Sequence, residues 1–241
     1  MHIIPVIDVR NGQAVRAIAG VRSNYRPLTW CVGAGTEPGQ VQAASAEGAP
    51  DASSPLAIAR GYLGLYGFPI LYIADLDGIE GRPAVGGWAS DMFGNLPDVQ
   101  FWIDAGQRFA GGGLHTTVIG SEALKDEDLR GTFPDAAVLS LDFREDVFLG
   151  PLRLLETPQL WPRRVIVMSL SRVGSNAGPD LERVADIVRR APHAEVYAAG
   201  GIRDLSDVRA ARAAGAAGIL ISSALHGEKI KADDLEEIIG L

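Results

Sequence analysis

The chain has 241 residues, a formal net charge of −8, 47% hydrophobic and 22% charged residues, and a pI near 5.0. That length suits one large domain with a sizeable core, and the composition excludes a fibrous or wholly disordered chain. The acidic balance argues against a nucleic-acid surface, and the single cysteine, Cys31, excludes an intrachain disulfide or a cysteine metal cluster.

His2, His115, His193 and His226 are scattered without ligand spacing, so no metal site is expected. No apolar run reaches transmembrane length, and the chain opens directly on a strand-like segment. The expectation is a cytoplasmic protein with no membrane or nucleic-acid partner.

The first predicted strand is HIIPVID (2–8). Four arginines follow closely, Arg10, Arg16, Arg22 and Arg26; they read as a local basic pocket or as a solvated loop. Residues 33–53 are rich in Gly, Ala, Ser and Pro with no apolar face, the signature of a flexible loop insertion. A helix is expected over 54–67, then strands over 69–75 and 99–104. The run 107–115 is short and glycine-rich, so the third helix is expected to be vestigial. A strand over 116–120 leads to a predicted helix over 121–131, and further strands fall at 136–142 and 164–170. A helix over 179–191 carries Pro179 in its first turn, and strand 194–200 follows it. A last helix over 203–215 stops at Gly215, before the final strand 217–222.

These eight strands are continuously rather than alternately hydrophobic, as strands buried on both faces of a parallel sheet are. Crossover segments between them allow a barrel or an open doubly wound sheet. The two halves resemble each other: Gly106 matches Gly201, Arg108 matches Arg203, and Asp8 at the end of IPVID matches Asp142 at the end of LSLD. Two similar four-stranded halves favour closure, so the expected fold is a (β/α)8 TIM barrel in one domain, 1–241.

In such a barrel the reactive groups gather at the C-terminal strand ends. Asp8 and Asp142 would there face each other across the mouth, one able to take a proton while the other gives one. Either aspartate alone could instead cap its loop. Gly200, Gly201, Ser222 and Ser223 follow strands seven and eight, where backbone N–H groups and hydroxyls commonly hold a phosphate. Gly106, Gly120 and Ser121 form the matching place in the first half, although Asp104 would repel a dianion unless Arg108 offset it. Arg16 and Ser171 complete the expected substrate-binding set. Asp75 and Asp77 could orient sugar hydroxyls or simply end their strand, and their D-x-D spacing is only a weak signal for an oxygen-ligated metal.

At these residues the sequence resembles the HisA/HisF family of histidine-biosynthesis barrels, and more closely its HisA members. IPVIDVRNGQAVR, IADLDG, GSEAL, LSLDFR, AAGGIRDLSDV and ISSALHGE carry the likeness, from residue 1 to about 230. The resemblance implies two (βα)4 halves and a cofactor-independent Amadori isomerisation of an aminoaldose to an aminoketose. It places Asp8 and Asp142 as the catalytic pair.

Departures from the family pattern fall at substrate-contacting places. The glycine triplet after strand three reads Asp104-Ala105-Gly106, and a threonine ending strand six is Met168. An aspartate-glycine-threonine stretch reads Val173-Gly174-Ser175. A glycine-tryptophan element after strand five is missing, and Trp161 lies too far on to replace it. A kept acid–base pair beside altered contacts implies a HisA-like isomerase acting on another small phosphorylated sugar-amine. The competing expectation is a non-catalytic barrel that binds a phosphorylated ligand or a partner protein. The oligomeric state is not legible in the sequence.

Overall fold

The computed structural model describes residues 1–18, 20–29, 52–83, 85–106, 115–131 and 133–239. Most of the expected insertion (33–51), the stretch expected to hold a vestigial third helix (107–114) and Arg108 lie outside the described residues.

Eight strands form a closed parallel barrel. They are β1 (His2–Arg10), β2 (Ile70–Asp75), β3 (Gln100–Asp104), β4 (His115–Gly120), β5 (Val138–Arg144), β6 (Arg164–Ser169), β7 (Glu195–Ala199) and β8 (Gly218–Ile221). Each pairs in parallel with the next, and β8 pairs back onto β1, with Ile3 beside Ile219. The eight-strand reading and the closure both hold.

Alternate residues of each strand serve different layers. Ile4, Tyr72, Trp102, Val138, Ile166 and Leu220 pack together in one cluster. Ile3, Ile7, Leu71, Ile73, Phe101 and Val165 join the helices in a second. Two buried faces per strand explain why the hydrophobic runs are unbroken.

Local chemistry sets the helix limits. The first crossover helix, Pro55–Leu65, starts where the Ala57 N–H donates to Ser54 Oγ at 3.1 Å, with Pro55 in the first turn. Helix Leu205–Ala213 is capped by Asp204 and stops at Gly215, whose positive φ of 93° lets its N–H and that of Ala216 reach carbonyls of the last turn.

Two sequence expectations need correction. Residues 121–131 form no α-helix but two 3-10 turns, Ser121–Ala123 and Asp126–Asp128. Asp128 there accepts from the Lys125 N–H at 2.8 Å, a local bond that competes with helix propagation. Pro179 precedes the helix rather than opening it: the cap is Asp180, and the helix runs Leu181–Arg190.

A short hairpin follows each of the two aspartates. After Asp8, β1 continues to Arg10, turns through Asn11 and Gly12 at positive φ, and pairs antiparallel with Gln13–Arg16. After Asp142, β5 continues to Arg144, turns at Glu145, also at positive φ, and pairs with Val147–Leu149. Each aspartate thus sits at the base of a hairpin. Among the described residues no helix is long and apolar enough to cross a membrane.

Candidate active site

One cavity opens at the C-terminal ends of the strands, and both aspartates line it, together with Arg22, Asp104, Glu122 and Gly201. Asp142 is 4% exposed and firmly held. The Ser140 hydroxyl donates to its Oδ1 at 2.6 Å, and the Glu122 N–H donates to its Oδ2 at 3.1 Å. Ser121 Oγ accepts from the Asp142 N–H at 2.9 Å and lies 3.2 Å from Oδ2. Burial is the largest influence on this carboxyl and pushes its pKa up to about 7; the Ser140 bond opposes the rise, and the charges of Asp104 and Glu122 add to it.

Asp8 stands in a different field. Desolvation likewise raises its pKa to about 7, but its charged neighbour is cationic: Arg22 pulls the value down. Asp104, 8% exposed, is lifted to about 6 by burial against the N–H of Gly106 at 3.2 Å. Tyr72 is buried beside all three acids, its phenol 3.4 Å from Asp104 Oδ2; burial first, then those charges, drive its pKa well above the usual tyrosine range. It remains a neutral donor at any physiological pH.

Across the mouth, Gly200 and Gly201 have φ of 95° and 88°, and with Ser222 and Ser223 they line the same cavity. A Cβ on Gly201 would overlap the backbone of Gly178. Beneath the serines, the Tyr62 hydroxyl donates to the Val6 carbonyl at 3.0 Å and meets His226 Nε2 at 2.8 Å, with Ser222 Oγ 3.4 Å away. Burial, followed by the nearby Arg16, lowers the His226 pKa to about 4, so this imidazole is neutral at pH 7. Replacing Tyr62 by Phe removes buried hydrogen bonds, and we expect it to cost about 1 kcal/mol, read by urea unfolding.

The remaining expected residues divide between lining and support. Arg16 is exposed at the cavity rim. Gly120 and Ser121 back the site: a Cβ on Gly120 would lie 3.3 Å from Asp142 Oδ2 and 3.4 Å from Asp104 Oδ2, and Ser121 is fully buried. Gly106, at φ 59°, packs against the Gly78 carbonyl. Ser171 accepts from the Glu145 N–H at 3.2 Å, bridging the loops after β5 and β6. Asp75 caps a short helical turn through the Gly78 N–H, and Asp77 accepts from Asn11 N–H at 2.6 Å and from Arg82, so both serve loop architecture. Met168, Val173 and Gly174 line the cavity, whereas Trp161 is buried and donates to the Leu154 carbonyl.

Sequence reasoning had no separate place for Glu122 and Tyr72, and it took Arg22 only as one of four clustered arginines. Arg22 lies 2.7 Å from Glu122 and 3.8 Å from Glu80. The pairing joins loops a hundred residues apart, which no local pattern signals.

A profile of the family described as Histidine biosynthesis protein matches residues 2–231. The chain belongs to that family. It is 28% identical over 264 residues, spanning 100% of both chains, to the Gemmatimonas aurantiaca protein named 1-(5-phosphoribosyl)-5-((5-phosphoribosylamino)methylideneamino)imidazole-4-carboxamide isomerase. A protein of the same name from Acetivibrio thermocellus is 28% identical over 144 residues, covering 53% of this chain and 58% of that one. An uncharacterized protein of Methanocaldococcus jannaschii is 27% identical over 260 residues, covering 99% of this chain and 98% of its own. The chain is thus a divergent HisA-like member of the family, related to named isomerases and to a protein without an assigned role.

Proposed function

We propose that this barrel is a cofactor-independent aldose–ketose isomerase acting on a phosphorylated ribosyl-amine, with a substrate other than the one its named relatives carry in their names. The observation that carries the reading is the pair Asp8 and Asp142. They rise from opposite strands into one cavity, each with its pKa moved to about 7. Groups poised near the working pH are suited to giving and taking protons.

The surroundings divide the roles. Asp142 has acidic neighbours in Asp104 and Glu122, which favour its protonated form. Asp8 has Arg22, which favours its ionised form. Asp142 therefore donates its proton to the ribosyl ring oxygen as the C1–O bond breaks and the amine lone pair forms C1=N. Asp8 removes the proton from C2, leaving an enolamine. Return of a proton to C1 and loss of the C2 hydroxyl proton complete the aminoketose. The oxidation at C2 balances the reduction at C1, so the steps consume no co-reactant.

The phosphate would rest on the backbone of Gly200 and Gly201 and the hydroxyls of Ser222 and Ser223, with Arg16 at the rim. The altered residues Met168 and Val173 line the same cavity and support a changed substrate.

Turnover needs Asp8 ionised and Asp142 protonated, and both titrate near pH 7. The expected pH–rate profile is a narrow bell centred close to neutrality, falling on either side. A plateau from pH 6 to 9 would contradict these roles. The substrate assignment is tested by incubating the purified protein with the compound named for its relatives and with other N-substituted ribosylamine 5-phosphates. We expect ketose from one of the latter; efficient conversion of the former would make this a divergent histidine-pathway enzyme.

A further inference from the structure

The relatives' names describe a compound with two phosphoribosyl groups. The described residues of this chain make the two sides of the cavity unlike. On the β7–β8 side lie Gly200, Gly201, Ser222 and Ser223. On the β3–β4 side lie Asp104 and Glu122, with Asp142 next to them. The Gly120 Cα faces Asp104 and Asp142 closely enough that an added Cβ would touch each carboxylate.

Among the described residues, three arginines near this side are already engaged. Arg22 pairs with Glu122 at 2.7 Å and Glu80 at 3.8 Å. Arg10 bonds to the Arg22 carbonyl and lies 3.5 Å from Glu80. Arg82 is held by Asp77 and Glu80. Besides Arg22, the cavity is lined by Arg16, which acts on His226 at the far side, and by Arg144, which stands on the β5 hairpin near Tyr25. A dianion brought to the β3–β4 side meets two or three carboxylates in a partly dry site, where like charges repel strongly.

We infer that Glu122 determines the substrate class: by occupying Arg22 and adding its own charge, it restricts this cavity to substrates with a single phosphate whose second arm is uncharged or cationic. The inference rests on the proposed phosphate position at Gly201 and Ser223. An amine or hydroxyl on the second arm suits carboxylate acceptors where a phosphate does not.

Calorimetric titration with ribose 5-phosphate and ribose 1,5-bisphosphate tests this. The native protein is expected to bind the bisphosphate no more tightly than the monophosphate. In Glu122→Gln, where Arg22 is released, the affinity ratio should shift toward the bisphosphate by about tenfold or more, the size of one charge-assisted hydrogen bond. Glu122→Asp keeps the charge and should keep the native ratio, which separates charge from loss of fold. A native preference of tenfold or more for the bisphosphate, or a ratio that stays within about twofold in Glu122→Gln, overturns the inference. If in that case Ser223→Ala still weakens both ligands, the phosphate position stands without it. Binding of neither sugar phosphate overturns the position and the inference together.

Discussion

Asp8→Asn is expected to lower turnover of the ribosyl-amine substrate by about 10²–10⁴, the usual contribution of one positioned proton transfer. Asn keeps the shape of the side chain but cannot accept the C2 proton, so binding should change far less than rate. The same variant should be more stable than the native protein at neutral and alkaline pH. An unfolded aspartate ionises near its model value of 3.8, whereas folded Asp8 holds its proton to about 7. Its contribution to stability is therefore fully present below pH 4 and is lost as pH rises through 7. Asparagine does not titrate, so the stability gain of the variant should grow between those values and then level off. Thermal melts from pH 4 to 9 read this directly. Equal stability across that range would mean that Asp8 is better solvated than its place in the cavity indicates.

Gly201→Ala should cost about 2–5 kcal/mol of stability, combining a side chain at φ 88° with overlap against the Gly178 backbone. Because the clash is with main chain, relief requires moving the loop after β7 or the one before helix Leu181–Arg190. Either shift moves the Gly200–Gly201 backbone that lines the cavity and is proposed to hold the phosphate, so affinity for ribose 5-phosphate should fall as well. Gly64→Ala is the matched control. Gly64 lies in helix Pro55–Leu65 with open space where its Cβ would go, and the change should add up to about 1 kcal/mol through helix propensity. Urea unfolding of both variants measures the contrast; a Gly201→Ala protein within 0.5 kcal/mol of native would contradict the packing described.

Much of the architecture was legible because it rests on periodic burial. Segments such as RVIVMSL and AEVYAAG have two faces to bury, as covered parallel strands of five or six residues do. The strand-end positions of Asp8 and Asp142 followed from the same runs. The segment 121–131 misled because apolar spacing resembled a helix, while Asp128 offered the backbone a competing local bond. The Val147–Leu149 hairpin was hidden because three residues carry too little pattern. Arg22 and Glu122 were missed as a pair since their meeting depends on the hairpin after β1 and the loop after β4 converging at the mouth. Asp75 and Asp77 could be read either as sugar contacts or as strand ends; their hydrogen bonds to Gly78 and Asn11 assign them to the loops.

Proton transfer by Asp8 and Asp142 on a bound ribosyl-amine can be followed by NMR as conversion of aldose to ketose. The native protein should form aminoketose from an N-substituted ribosylamine 5-phosphate, and Asp8→Asn and Asp142→Asn should each do so at least about 10²-fold more slowly. Tight binding of such compounds with no conversion by the native protein would contradict these roles and leave a barrel that holds a ligand without transforming it.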